Sequence, residues 1–240
     1  MKDTSRSLVP ALALLELPAN KLLDQFGGGN HVPGSGSAAA LMGLLAAQLT
    51  LTVCKITSAK SEARPGELDY LALQMENRFI PRLQEMFQED ADAFDVVITN
   101  RRMRDAATDK AERRRWGERS NQKLREATEL VMDIGDLCLA LADHATRVFN
   151  QGAKMVRGDS GAAISSAIAG ASTAIFIANL NLQSFQAGAW ARLMQERINA
   201  MQADIISKQG KAFELASEMQ VIALPDDQPS LFDARGSDDS

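Results

Sequence analysis

Two stretches of this chain, near 37–60 and 161–186, consist of Ala, Leu, Ile, Gly and small hydroxyl residues with almost no charge, and each is apolar on nearly every face of a helix. A helix without a polar side must be covered by protein or lie in a membrane, so these two segments constrain everything around them. Burial is the expected solution. Gln48 and Lys55 interrupt the first stretch, five Ser or Thr fall in the second between Ser160 and Thr173, and no aromatic belts flank either. Small side chains let backbones approach closely, which predicts a central helix pair wrapped by amphipathic helices.

The rest of the chain supplies the wrapping. Helical periodicity is expected in two short pieces between 7 and 26 broken at Pro18, over 67–104 with Pro81 able to kink or restart the helix, over 108–151, and over 189–219. Aromatic residues make up only 5 % of the 240, and Tyr, Trp and Val are sparse, so the fold class is all-α: an up-and-down bundle in one domain, 1–224. The remainder, 225–240, holds Asp226, Asp227, Asp233, Asp238 and Asp239 against Arg235, and reads as a disordered acidic tail. It carries most of the net charge of −5, leaving a nearly neutral body that argues against direct nucleic-acid contact.

Cys54 and Cys138 lie in separate apolar runs, with neither a disulfide framework nor metal-ligand spacing, and a reducing cytoplasm is the expected compartment. No membrane association is expected.

The best candidate for a ligand site is the junction where Gly27-Gly28-Gly29-Asn30-His31-Val32-Pro33-Gly34-Ser35-Gly36-Ser37 runs into the first small-residue helix. Glycines permit close approach, and the free N–H groups of a helix N-terminus favour a negative or strongly polar group. No Gly-Lys-Ser/Thr closes the loop and no strand precedes it, so a nucleotide site is not indicated.

The segment His31-Val32-Pro33-Gly34-Ser35-Gly36-Ser37-Ala38-Ala39-Ala40-Leu41 resembles the hallmark Pro-x-Pro-Gly-Gly-Gly-Ser-Ala-Ala-Ala-Leu of the cyclodeaminase/cyclohydrolase family. Gln88-Glu89-Asp90-Ala91-Asp92-Ala93-Phe94 is similar to its Asp-x-Asp-Ala-x-Ala-Phe. Gly152-Ala153 followed by Gly158-Asp159-Ser160-Gly161-Ala162-Ala163 is similar to its Gly-Asn and Ser-Asp-Ala-Gly-Val-Ala, and Ile177 and Asn181 stand where it has two asparagines four apart. The resemblance spans about 21–218.

It implies a homodimeric helical bundle that binds a tetrahydrofolate derivative near the glycine loop and the subunit interface, and that works on a one-carbon unit bridging two folate nitrogens without a metal. Asp159 is the first expectation for the acid or base, Asp90 the second, and Lys60 a residue that orients the pterin or neutralises charge. Gly34, Ser35, Gly36, Ser37 and Asn181 are the expected binding residues. This chain differs from the family pattern at Ser35, Ala153, Gly158, Ile177 and Val131, where polar or helix-breaking groups are replaced.

The alternative that these departures leave open is a non-catalytic relative serving as a binding or scaffold protein. The tail run Gln228-Pro229-Ser230-Leu231-Phe232 resembles the peptide by which bacterial replication and repair proteins dock on the DNA sliding clamp, with Gln228, Leu231 and Phe232 as the contact residues.

Overall fold

The computed structural model describes residues 14–59 and 66–219, so Lys60, the tail 225–240 and its clamp-like peptide lie outside the described residues. After a short 3-10 turn at Leu14–Glu16 come seven α-helices: α1 (Ala19–Gly27), α2 (Ser35–Ser58), α3 (Glu67–Gln74), α4 (Ile80–Ala106), α5 (Lys110–Gln151), α6 (Arg157–Leu182) and α7 (Ala189–Glu218). No strand occurs among the described residues.

Pro81 marks a restart of the third segment, standing in the first turn of α4. A π turn at Met75–Phe79 joins α3 to α4 just before it, with the Ile80 N–H donating to the Met75 carbonyl. Proline has no N–H to offer the preceding turn, so the backbone widens there and the helix continues.

The two small-residue helices pack directly against each other and run antiparallel. Ala39 and Met42 of α2 meet Gly170 and Thr173 of α6, while Thr57 accepts from the Ala153 N–H at 3.0 Å at the other end. A Cβ on Gly170 would lie 3.0 Å from the Ala39 carbonyl and 2.8 Å from Cys138 Sγ, so glycine is what lets these backbones meet. Helix α5 lies alongside both, with Asn181 of α6 donating to Thr128 at 3.1 Å. Helix α7 runs beside α5, with Trp190 donating to Glu129 at 2.7 Å and Lys208 pairing with Asp143 further along. Thus α2, α5 and α7 point one way and α4 and α6 the other, an up-and-down bundle.

The central pair is covered unequally. Ala39, Ala40, Ala46, Ala47, Val53 and Cys54 of α2 are fully enclosed, as are Ala163, Ala167, Ala171, Ala174 and Ala178 of α6. However, α6 leaves one side open: Ala162, Ser165 and Ala169 are exposed, Phe176 is 78 % exposed and Leu180 65 %, with Leu45 of α2 at 53 %. Both α2 and α6 are long and apolar enough to cross a membrane. In this fold α2 is mostly enclosed, whereas α6 presents a continuous uncharged face outward, contrary to the expectation that both helices are wrapped.

Beyond the start of α2 the second half of α4 and the first half of α5 continue as a helical hairpin, roughly 24 Å long by helical rise from Asp90 to Ala106. Its turn is fixed by Asp109, whose carboxylate accepts the Glu112 N–H at 2.8 Å as the N-cap of α5.

Candidate functional site

The glycine-rich junction is where the expected anion-binding geometry is found, and the anion is internal. Gly34 at the N-cap of α2 has no side chain to satisfy the first N–H groups. Asp90 of α4 does so from across the interface: its carboxylate accepts from Ser37 Oγ at 2.9 Å and from the Ser37 backbone N–H. The carboxyl lies against the Gly36 backbone, so close that a Cβ there would sit 2.5 Å from its Cγ and 2.7 Å from Oδ2. Gly36 is therefore the groove into which Asp90 fits, a reason for the residue distinct from loop flexibility.

Asp90 is 5 % exposed. Burial raises its pKa above the ordinary carboxylate value, and the Ser37 hydroxyl and backbone N–H only partly oppose that shift. Ser37 Oγ also lies 3.3 Å from the Phe87 carbonyl, so its one proton has two acceptors. A carboxyl that is buried, hydrogen-bonded and shifted upward is equipped to take or give a proton near its raised pKa.

Further along α4, the loop and the helix enclose an open polar cavity of about 490 Å³, lined by Gly29, Asn30, His31, Val32, Asp95, Ile98 and Arg102, with neither Asp90 nor Ser37 in its lining. Asp95 and Arg102 stand two helical turns apart, which puts them on one side of α4. Their spacing is present in the sequence, but only the folded loop reveals that they face it.

Asp159 is not part of this cluster within one chain. It sits in the first turn of α6, half-buried, and Gly170 of the same helix is already level with Ala39. Because α2 and α6 are antiparallel, Asp159 lies roughly 20 Å along the bundle axis from Ser37 by helical rise. Asn181 lies at the other end of α6, the end shared with the glycine loop, where it is buried and donates to Thr128. Gly34 and Ser35 are in place at the loop, half-buried and exposed respectively.

Around the start of α6 is a second cavity of about 250 Å³, lined by Phe149, Arg157, Gly158, Gly161, Ile164 and Ser165 and by Ala212, Leu215, Ala216 and Met219 near the end of α7. The Arg157 guanidinium lies over the Phe149 ring at 5.1 Å, and neither Arg157 Nε nor Ser160 Oγ, both buried, has a hydrogen-bond partner. Sequence reasoning did not single out Arg157; an arginine beside the matched Asp159 was the available signal. Among the described residues no three His, Cys, Asp or Glu side chains converge as a metal site.

Comparison with known proteins bears on this geometry. Residues 18–200 match the family described as formiminotransferase-cyclodeaminase. The methenyltetrahydrofolate cyclohydrolase of Methylorubrum extorquens is 28 % identical over 182 residues, covering 75 % of this chain and 85 % of that protein. The crystal structure of formiminotetrahydrofolate cyclodeaminase from Thermotoga maritima superimposes with a TM-score of 0.72 at 18 % identity, over 85 % of this chain and 98 % of that one. This last likeness is one of fold.

Proposed function

The chain belongs to the formiminotransferase-cyclodeaminase family, and from that premise we propose that it is a cytoplasmic enzyme hydrolysing methenyl-tetrahydrofolate to formyl-tetrahydrofolate by acid–base catalysis without a metal. Ring closure of formimino-tetrahydrofolate with release of ammonia is the variant reaction for the same site. The observation that carries the reading is the buried Asp90 carboxyl on the Gly36–Ser37 backbone at the glycine loop.

In the hydrolytic direction the oxygen of water bonds to the bridging methenyl carbon and loses a proton. The tetrahedral intermediate then collapses: its hydroxyl gives up its proton as the carbonyl forms, one C–N bond breaks, and the departing nitrogen takes up a proton, so that one proton is released overall. One carboxyl can serve both transfers, accepting from the attacking water and returning the proton to nitrogen, and a raised pKa suits that alternation.

Asp159 enters through a second copy of the chain. The uncharged outward face of α6, with Phe176, Leu180 and Leu45 of α2, is suited to an isologous dimer. If α6 of each copy packs antiparallel on the other about a two-fold near Ala169, the first turn of one α6 comes beside the last turns of its mate. That brings one copy's Asp159 to the end of the other's α6 that carries Asn181 and adjoins the glycine loop. The site would then take Asp90 from one copy and Asp159 from the other.

The test is complementation, followed through the absorbance of methenyl-tetrahydrofolate. D90N and D159N are each expected to be folded and inactive. After unfolding and co-refolding in equal amounts, random pairing restores about a quarter of wild-type activity, because half the dimers are mixed and each mixed dimer has one intact site of two. Inactive mixtures that sediment as mixed dimers would rule out the composite site. A wild-type protein that binds no folate would rule out the enzyme.

A further inference from the structure

Helices α6 and α7 leave a groove between them that the folate chemistry does not use. One end is the cavity of about 250 Å³ at the start of α6, with Arg157 in its wall. A second cavity of about 300 Å³ continues it, sharing Ser165, Ala212 and Ala216 and adding Ile168, Ala169 and Phe213. From Gly158 to Ser172 the groove runs roughly 21 Å by helical rise. Among the described residues Arg157 is the one charged side chain in either lining, and the remainder is apolar apart from Ser165, Ser172 and Gln209.

Arg157 lacks an acceptor. Its guanidinium lies over the Phe149 ring at 5.1 Å, its Nε is buried without a hydrogen-bond partner, and no ion pair among the described residues engages it. Asp159, the nearest acid in sequence, stands roughly 200° further round α6 and is absent from the lining. Ala169 borders both the groove and the two-fold placed above, so a second copy would roof the groove, and its α6 over 170–182 brings no acidic residue to Arg157. A half-buried guanidinium with an unsatisfied donor is costly, and a carboxylate is the acceptor that matches its planar fork.

We propose that this groove binds a straight-chain carboxylate, a fatty acid anion with its head on Arg157 and its chain along Ile164, Ile168 and Phe213. The demand for charge is confined to one end and the walls beyond it are apolar, so the occupant is an amphiphile with a single anionic head. The site is separate from Asp90 and the glycine loop, and the inference does not rest on the folate reading.

The experiment uses the full chain, titrated in a calorimeter with decanoate and with decanol, which share a chain and differ at the head, each kept below the concentration at which it aggregates. Wild type should bind a single decanoate per chain, about tenfold more tightly than decanol, the worth of one charge-assisted contact. R157Q should bind the two alike, and R157K should keep part of the preference. A216F sets a ring in the wall common to both cavities and should bind neither; Ala216 is exposed, so this variant should fold as wild type does. An undiminished preference in R157Q, equal binding of the two titrants by wild type, or full decanoate binding by A216F overturns the inference. Wild type that binds neither titrant gives the groove to protein, either residues 220–240 or a second copy, and overturns it as well. Turnover of methenyl-tetrahydrofolate by the same wild-type sample tests the folate reading separately.

Discussion

Replacing Gly36 by alanine sets two effects of opposite sign against each other. In an exposed helix, Gly to Ala gains up to about 1 kcal/mol from helix propensity and reduced freedom of the unfolded chain. At Gly36 the new methyl would lie 2.5 Å from Asp90 Cγ and closer still to Oδ1, inside the carboxyl's own volume. The neighbour is a buried, hydrogen-bonded group on a packed helix, so α4 must move or the carboxyl must turn away. Overpacking of this kind costs about 1–3 kcal/mol, and loss of the Ser37 contacts adds about 1–3 kcal/mol where a buried charge is involved. The net expectation is a destabilisation near 2 kcal/mol, or roughly 4–8 °C in Tm for a chain of this length. Gly210 is the control: it lies in an exposed part of α7 with nothing within 4 Å of an added Cβ, so G210A should stabilise by about 0.5–1 kcal/mol. Urea unfolding of both variants, with turnover measured in parallel, reads the difference. G36A as stable as G210A, or fully active, would refute the reading of Gly36 as the seat of Asp90.

Two further outcomes follow from buried titratable groups. Burial pushes the Cys54 thiol up to about 11 and the Cys138 thiol to about 12, so at pH 8 neither should react with iodoacetamide in the native protein; mass spectrometry should find both alkylated only after denaturation. Burial and the nearby Arg147 guanidinium hold His144 below its ordinary value, with the ring edge-on to Phe79 at 5.2 Å. The unfolded chain therefore binds this proton first as pH falls below about 6.5, so stability should decline there by at most about 1.4 kcal/mol per pH unit. That component should be missing from H144F in urea titrations at pH 5 and 7.

The helices were legible because each was announced locally. The uncharged runs marked α2 and α6, periodicity placed the start of α5 within two residues, and α2 begins two residues earlier than periodicity alone suggests. Asp90 and Ser37 were legible as separate candidates but not as partners, since 53 positions divide them and only the antiparallel packing of α2 on α4 brings them together. The open face of α6 was hidden for a different reason. Hydrophobicity on all sides says that a helix is to be covered, and it does not say whether the cover is the same chain.

The same carboxyl is asked to do two things that ordinarily conflict. As the cap of α2, Asp90 is best ionised, because the first N–H groups of a helix favour a negative charge. As a group that passes a proton, it must also tolerate being neutral. Burial moves the balance toward the neutral form, and Ser37 lets the cap survive that change. With Asp90 ionised, the hydroxyl donates to it at 2.9 Å; with Asp90 protonated, the same hydroxyl can turn to the Phe87 carbonyl at 3.3 Å and still donate. The protonated carboxyl can in turn donate to Ser37 Oγ, so neither state leaves a buried hydroxyl without an acceptor. Alanine at position 37 would remove that second acceptor arrangement and the hydroxyl contact together. Asp90 would then be held only by backbone N–H, a contact that favours the ionised form and offers nothing in exchange when the proton arrives.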